Sequence, residues 1–170
     1  MIVGIEGGLG SGKTLIMSRY LHKDRVKYHR EVFANYNLHF DHKKLNIKDM
    51  LDKKVSLMDV SVGIDELTLF ADCRSSMFEM NKLMSYFILQ TRKRNVCLYF
   101  TTQDFSMVDK RIMHHTFVRI FCSKVKGDDN FRSFEIIDIR DSLFSPPQVF
   151  IMDIRPYFEL FDTNEIIEPY

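Results

Sequence analysis

The hydrophobic pattern divides the chain into short apolar runs and longer amphipathic ones. Met1–Ile5 has four apolar residues in five, which suits a buried strand. Residues 15–29 carry apolar positions at Leu15, Met17, Tyr20, Leu21 and Val26, and predict a helix that covers one face of a sheet and fades into a basic end. Glu31–Leu38 is aromatic and β-branched between polar residues, and predicts a strand. Residues 39–56 are polar and lysine-rich, and Leu45, Ile47, Met50 and Leu51 suggest a short helix there. Leu57–Glu66 converges on Ile64 and ends in two carboxylates, which reads as a strand. Residues 67–78 are mixed and support no assignment. Glu79–Arg92 places Met80, Leu83, Met84, Phe87 and Ile88 at spacing i, i+3, i+4, i+7, i+8, a helix against the sheet. Val96–Thr101 predicts a strand, and Asp104–His115 a short helix with Met107, Val108 and Ile112 inward. Thr116–Ser123 and Phe131–Arg140 predict strands joined through the turn residues 127–130. Pro146-Pro147 breaks the chain, Gln148–Ile154 is another strand, and the aromatic tail Pro156–Thr163 is expected to lie along the body. The expected fold class is α/β: a central, mostly parallel sheet flanked by helices, with a C-terminal hairpin and extra strands. No repeat, low-complexity segment or linker interrupts it, so residues 1–170 are expected to be one domain.

The chemistry concentrates where the first strand meets the first helix. Gly7-Gly8-Leu9-Gly10-Ser11-Gly12-Lys13-Thr14 is G-x-x-x-x-G-K-T without a mismatch. Glycines let the backbone turn tightly so that its N–H groups converge on phosphate oxygens. Lys13 can reach β- and γ-phosphates, the Thr14 hydroxyl can join a Mg²⁺ shell, and the helix N-terminus favours an anion.

About fifty residues on, Asp65-Glu66 closes an apolar strand. That separation fits two adjacent strands and a crossover. Asp65 would hold Mg²⁺, usually through water, because hard cations prefer oxygen ligands. Glu66 would polarise the attacking water as a general base. Gln103 follows the strand that ends in Thr101-Thr102, where α/β proteins hold ligands; it either orients water and senses the γ-phosphate or makes a cap or loop hydrogen bond. Arg92 and Arg94 end the 79–92 helix. They either satisfy its dipole or form a charge clamp for a neighbour's γ-phosphate.

Composition narrows the partners. The 170 residues are 45% hydrophobic and 28% charged, with net charge +1, so there is no global attraction for nucleic acid and any DNA contact would be a local patch. No apolar run reaches the ~20 residues a bilayer crossing needs, and the N-terminus runs straight into the phosphate loop instead of a signal peptide. Cys73, Cys97 and Cys122 are far apart and read as reduced thiols in a cytosolic setting. His114-His115 are adjacent, which does not suit a metal pair on a helix face. The basic His42-Lys43-Lys44 run and Lys53-Lys54 read first as solvated surface.

A phosphate loop on the first strand, an Asp-Glu strand and a separate strand before Gln103 resemble a RecA-like P-loop ATPase that carries a catalytic glutamate. With Gln90–Asn95 and Thr102-Gln103 they resemble the FtsK/HerA superfamily, and within it the viral branch: zonular-occludens-toxin-like ATPases of filamentous phages and genome-packaging ATPases of tailless icosahedral and archaeal viruses. Val32–Asn35 and Tyr157–Thr163 are similar to stretches of the toxin-like N-terminal domain. The resemblance spans nearly the whole chain. It implies ATP and Mg²⁺ as ligands, held by Gly7–Thr14 with Lys13 as the phosphate lysine, and Thr14 and Asp65 at the metal. It implies Glu66 as catalytic glutamate, Gln103 as sensor, and Arg92 or Arg94 as a finger acting in trans, with Arg74 in reserve. It also implies a ring, commonly a hexamer, that moves DNA through a central pore in the host cytoplasm or with the virion. The lysine-rich 42–54 segment and the Gly127 turn are the places to look for pore residues. Toxin-like proteins carry a membrane-spanning segment after this domain and this chain has none before Tyr170. The expectation is therefore a packaging motor, or a piece of a longer protein that drives virion assembly with a membrane or coat partner. A small-molecule kinase is set aside because the last third reads as strands, not as an arginine-rich lid.

Overall fold

The computed structural model describes residues 1–45, 57–71, 86–140 and 146–165. Its strands are β1 (Ile2–Glu6), β2 (Glu31–Ala34), β3 (Lys43–Lys44), β4 (Val60–Ile64), β5 (Cys97–Thr102), β6 (Val118–Val125), β7 (Asp128–Asp138) and β8 (Gln148–Asp153). Among the described residues these form one sheet in the order β3-β2-β4-β5-β1-β6-β7-β8. The neighbours from β3 to β6 run parallel, and β6-β7-β8 is an antiparallel meander.

The order corrects one expectation. The Asp-Glu strand β4 does not neighbour the phosphate-loop strand β1; β5 lies between them. Glu6 of β1 pairs in register with Thr102, and Ile64 of β4 pairs with Phe100. The carboxyl ends of β4, β5 and β1 therefore lie side by side, and β5 contributes to the space between the phosphate loop and the two carboxylates.

Helix α1 (Lys13–Tyr28) covers one face. The strands beneath it are built for a close approach. Val60, Val62 and Ile64 belong to the core of the far face, while Ser61 and Gly63 of the same strand meet α1. A Cβ at Gly63 would lie 2.6 Å from Leu21 Cδ1 of the helix, so any side chain there would push Leu21 aside. One turn on, buried Asp24 of α1 accepts from Ser61 Oγ at 2.6 Å and Tyr99 Oη at 2.9 Å, which satisfies a charge that would otherwise be expensive to bury. Burial and the neighbouring Asp24 push the Tyr99 hydroxyl well above the ordinary tyrosine range. The core of this face joins Val3, Ile5, Leu15, Ile16, Met17 and Leu21 to Ile120 and Phe134. The opposite face packs Ile2, Val62, Ile64, Leu98 and Phe100 against Phe87 and Ile88 of the helix at 86–91, and against Val108 and Ile112.

Other expectations shift in detail. The strand expected through Leu38 stops at Ala34, because Asn35 turns its side chain to another task described below. Asp104–His115 is two pieces, a 3₁₀ turn (Phe105–Met107) and a helix (Lys110–His114), each capped by an aspartate accepting from a backbone N–H two residues on. β7 begins at Asp128, so the hairpin turn tightens to Lys126-Gly127, with Gly127 at φ 87°. The tail folds back as a 3₁₀ segment (Arg155–Leu160) against α1: the Arg19 guanidinium lies 5.5 Å from the Tyr157 ring centroid, and the His39 N–H donates to Leu160 O at 2.9 Å. The helix expected around Ile47, Met50 and Leu51, the 72–78 stretch with Arg74, Lys53-Lys54, and Met80, Leu83 and Met84 lie outside the described residues.

Candidate nucleotide-binding site

The loop between β1 and α1 has the backbone of a phosphate cradle. Gly10 and Gly12 adopt φ 69° and 93°, the left-handed region that glycine enters without strain. Ser11 Oγ is buried without a hydrogen-bond partner among the described residues, and the buried Lys13 Nζ donates to Gly8 O at 3.2 Å, across the loop's own opening. A cradle with an orphaned hydroxyl and a lysine turned inward fits a polyphosphate.

β4 delivers Asp65 and Glu66 to the same place. Thr14 Oγ1 lies 3.1 and 3.0 Å from the two Asp65 carboxylate oxygens, a contact between residues 51 apart in sequence. Glu66 Oε1 lies 4.0 Å from Lys13 Nζ. Thr14, Asp65, Lys13 and Glu66 thus come together, as the motif spacing predicts. A threonine hydroxyl and a carboxylate are the hard oxygen donors that Mg²⁺ takes, alongside phosphate oxygens and water.

Sequence reasoning missed what holds the two carboxylates. Thr101, buried at the end of β5, donates to Asp65 Oδ1 at 2.5 Å and accepts from the Glu66 N–H at 2.8 Å. Asn35 clamps the Asp65 backbone from β2, its Oδ1 accepting from the Asp65 N–H at 2.8 Å and its Nδ2 donating to Asp65 O at 3.0 Å. The signal was a hydroxyl closing an apolar strand and an amide just past another. Their meaning depended on β2 and β5 flanking β4, which no local pattern states. Glu66 itself sits at φ 51°, a left-handed conformation that costs a non-glycine residue about 1 kcal/mol or more. The two bonds made by Thr101 hold the turn that carries it.

Burial raises the affinity of both carboxylates for protons. Asp65 is pushed above the ordinary aspartate range by desolvation, opposed by its bonds to Thr101 and Thr14 and by Lys13. Glu66 is raised by burial and by Asp65, opposed by Lys13. A raised glutamate beside a phosphate lysine is suited to taking a proton from water near neutral pH.

Gln103 is exposed, one residue beyond β5. The Thr101 hydroxyl, not this amide, holds the Asp-Glu pair. Arg92 and Arg94 sit at the other end of the sheet: Arg94 O accepts from the Asp59 N–H just before β4, and Val96 O, just before β5, accepts from the N-terminal amine of Met1. The six residues of β5 separate this end from the phosphate loop, roughly 20 Å at ~3.3 Å per residue. Neither arginine can serve the loop of its own subunit.

The loop opens into a cavity of about 240 Å³ lined by Gly10–Leu15, Arg132 of β7, and Ile154, Phe158, Phe161 and Thr163 of the tail. Arg132 is nine-tenths buried and donates from Nε to Gly10 O at 2.9 Å and from Nη1 to Asp129 O and Phe131 O at 2.8 Å. It braces the phosphate loop from a strand more than a hundred residues away in sequence. Its signal was an arginine at an inward position of β7, two residues before buried Phe134.

No protein-family model and no curated sequence matches the chain. Solved structures do match its fold. The N-terminal domain of zonular occludens toxin from Neisseria meningitidis superposes with a TM-score of 0.71 at 18% identity, over 95% of this chain and 98% of that one. The genome-packaging NTPase B204 of Sulfolobus turreted icosahedral virus 2, in complex with ATP-γS, gives 0.60 at 11% identity, over 89% and 96%. A further solved ATPase domain gives 0.59 at 12%, over 96% and 84%. The chain has the RecA-like fold of P-loop ATPases.

Proposed function

We propose that this chain is a Mg²⁺-dependent ATP hydrolase that works as a ring of identical subunits and moves DNA in viral genome packaging. One observation carries the reading. Lys13 and Thr14 of the phosphate loop meet Asp65 and Glu66 of a strand two places away, with Thr14 Oγ1 3.0 Å from Asp65 and Lys13 Nζ 4.0 Å from Glu66. Backbone N–H groups of Gly8–Thr14 and the Lys13 ammonium would bind the β- and γ-phosphates. Thr14 and, through water, Asp65 would hold Mg²⁺, which when bound supplies charge neutralisation on those phosphates. Glu66 accepts a proton from water as its oxygen attacks the γ-phosphorus. The bond to the β–γ bridging oxygen breaks, leaving ADP and phosphate.

The ring rests on two features. Arg92 and Arg94 are too far from their own loop to act there, so an arginine finger from this pair acts on a neighbour's nucleotide. Leu9, at the tip of the phosphate loop, is 77% exposed, an apolar side chain beside a polar site that a neighbouring subunit would cover. The likeness to a genome-packaging NTPase supports the substrate, and on this reading the chain would act in the host cytoplasm. A second reading is an ATPase that drives filamentous virion assembly or export through a membrane or coat partner. It is favoured by the TM-score of 0.71 and near-complete overlap with the zonular occludens toxin domain.

ATP hydrolysis measured across protein concentrations, with and without duplex DNA, tests both. Specific activity that rises with concentration and again with DNA, more weakly as salt increases, supports the packaging motor. Concentration-dependent activity indifferent to DNA supports the assembly reading. No hydrolysis under any of these conditions refutes both.

A further inference from the structure

The cavity beside the phosphate loop has a direction. Asp65 and Glu66 approach the loop from the β4 side, two strands to one side of β1, whereas Arg132 approaches from β7, two strands to the other. A triphosphate whose γ end faces Glu66 would run along Gly12–Thr14 toward Leu15, inside the cavity that Gly10–Leu15 share with Arg132 and the tail. We propose that it is a purine-base pocket that stacks the base on Phe158 but does not distinguish adenine from guanine, so that the chain uses ATP and GTP alike. This rests on the phosphate-site reading above and adds the specificity of that site.

The walls argue for stacking. Phe158 is 45% exposed, while Ile154 and Phe161, which line the same cavity, are 3% and 7% exposed. An exposed aromatic ring beside a phosphate cradle offers a π-face to a base, and larger ring systems overlap it more. Among the described residues, the polar side chains that line the pocket argue against reading the base edge. Arg132 lines the pocket, but its Nε and Nη1 donate to three backbone carbonyls, which ties the guanidinium to the loop. Thr163 offers a hydroxyl at the rim. A hydroxyl donates to guanine O6 or accepts from the adenine amino group with equal ease. Strong discrimination needs a group that one base satisfies and the other leaves unpaired.

The test is equilibrium binding of ATP, GTP, CTP and UTP with Mg²⁺ by competition against a fluorescent nucleotide, with inorganic tripolyphosphate as the base-free probe. ATP and GTP are expected within about threefold of each other and tighter than CTP and UTP. Phe158→Ala, at a half-exposed position that the fold does not need, is expected to weaken ATP and GTP about tenfold and leave tripolyphosphate unchanged. Thr163→Val is expected to leave the ATP:GTP ratio unchanged. A hundredfold preference for either purine overturns the edge-blind pocket. Phe158→Ala binding both purines as tightly as the wild type overturns the stacking site, with tripolyphosphate binding still supporting the phosphate cradle. A wild-type chain that binds neither nucleotide nor tripolyphosphate overturns the ATPase reading and the pocket together.

Discussion

The two flanks of the phosphate loop are made differently. On the β4 side the Asp-Glu turn is held by hydrogen bonds: Thr101 takes the Asp65 carboxylate and the Glu66 amide, and Asn35 takes both backbone groups of Asp65. On the β7 side one buried arginine braces the loop, and Ile154, Phe158, Phe161 and Thr163 add a mostly apolar wall with an exposed ring. The first flank is preorganised for charge that develops at a fixed point, which is where fixed dipoles are worth most. The second offers surface contact, which tolerates variation in what it holds. Rate should therefore live on one flank and affinity on the other.

The largest effect should come from completing the catalytic flank in trans. If Arg92 or Arg94 is the finger, its replacement by alanine lowers turnover 10³–10⁵-fold, and mixing with Lys13→Ala subunits restores part of it. Steady-state hydrolysis of mixed rings reads this, and no recovery removes the pair from the mechanism. Next comes Glu66→Gln, expected to cut turnover 10²–10⁴-fold while nucleotide still binds. Wild-type turnover in this variant would mean that the base lies elsewhere.

Asn35→Leu should slow turnover by tenfold or more with little change in KM, and lower stability by about 1–3 kcal/mol, because it leaves the Asp65 N–H and C=O unpaired. A chemical denaturation curve and the split between kcat and KM check the two parts. Equal loss in both kinetic terms would place Asn35 on the affinity side instead.

The pH dependence follows the direction of the Glu66 shift. The base works only when ionised, and its pKa stands above the ordinary glutamate value of 4.5, so the acid limb of kcat/KM should lie above that value and vanish in Glu66→Gln. For stability the sign is opposite in use. Asp65 binds its proton more tightly folded than unfolded, so its burial weighs increasingly against folding as pH rises from the unfolded to the folded pKa. The smallest effect is structural: Gly63→Ala should destabilise by about 1–3 kcal/mol through the clash with Leu21, without touching either flank's chemistry.

Local rules carried the sequence a long way. G-x-x-x-x-G-K-T between a strand and a helix is a complete statement about a backbone cradle, because its glycines, lysine and threonine act within eight residues of one another. Asp65-Glu66 at a strand end, the helix that follows the loop and the strands of the last third were legible from local sequence too. The tertiary structure alone decided what crosses strands. It put β5 between β1 and β4, and so turned Thr101 from a strand terminus into the partner of both carboxylates. It set Asn35 against Asp65, laid Arg132 over Gly10 and folded the tail into a pocket. It also separated Arg92 and Arg94 from their own loop by the length of β5. Such contacts join residues thirty to more than a hundred positions apart, and their geometry comes from strand order and register. Periodicity encodes which face of an element is buried, but not which element lies next to it.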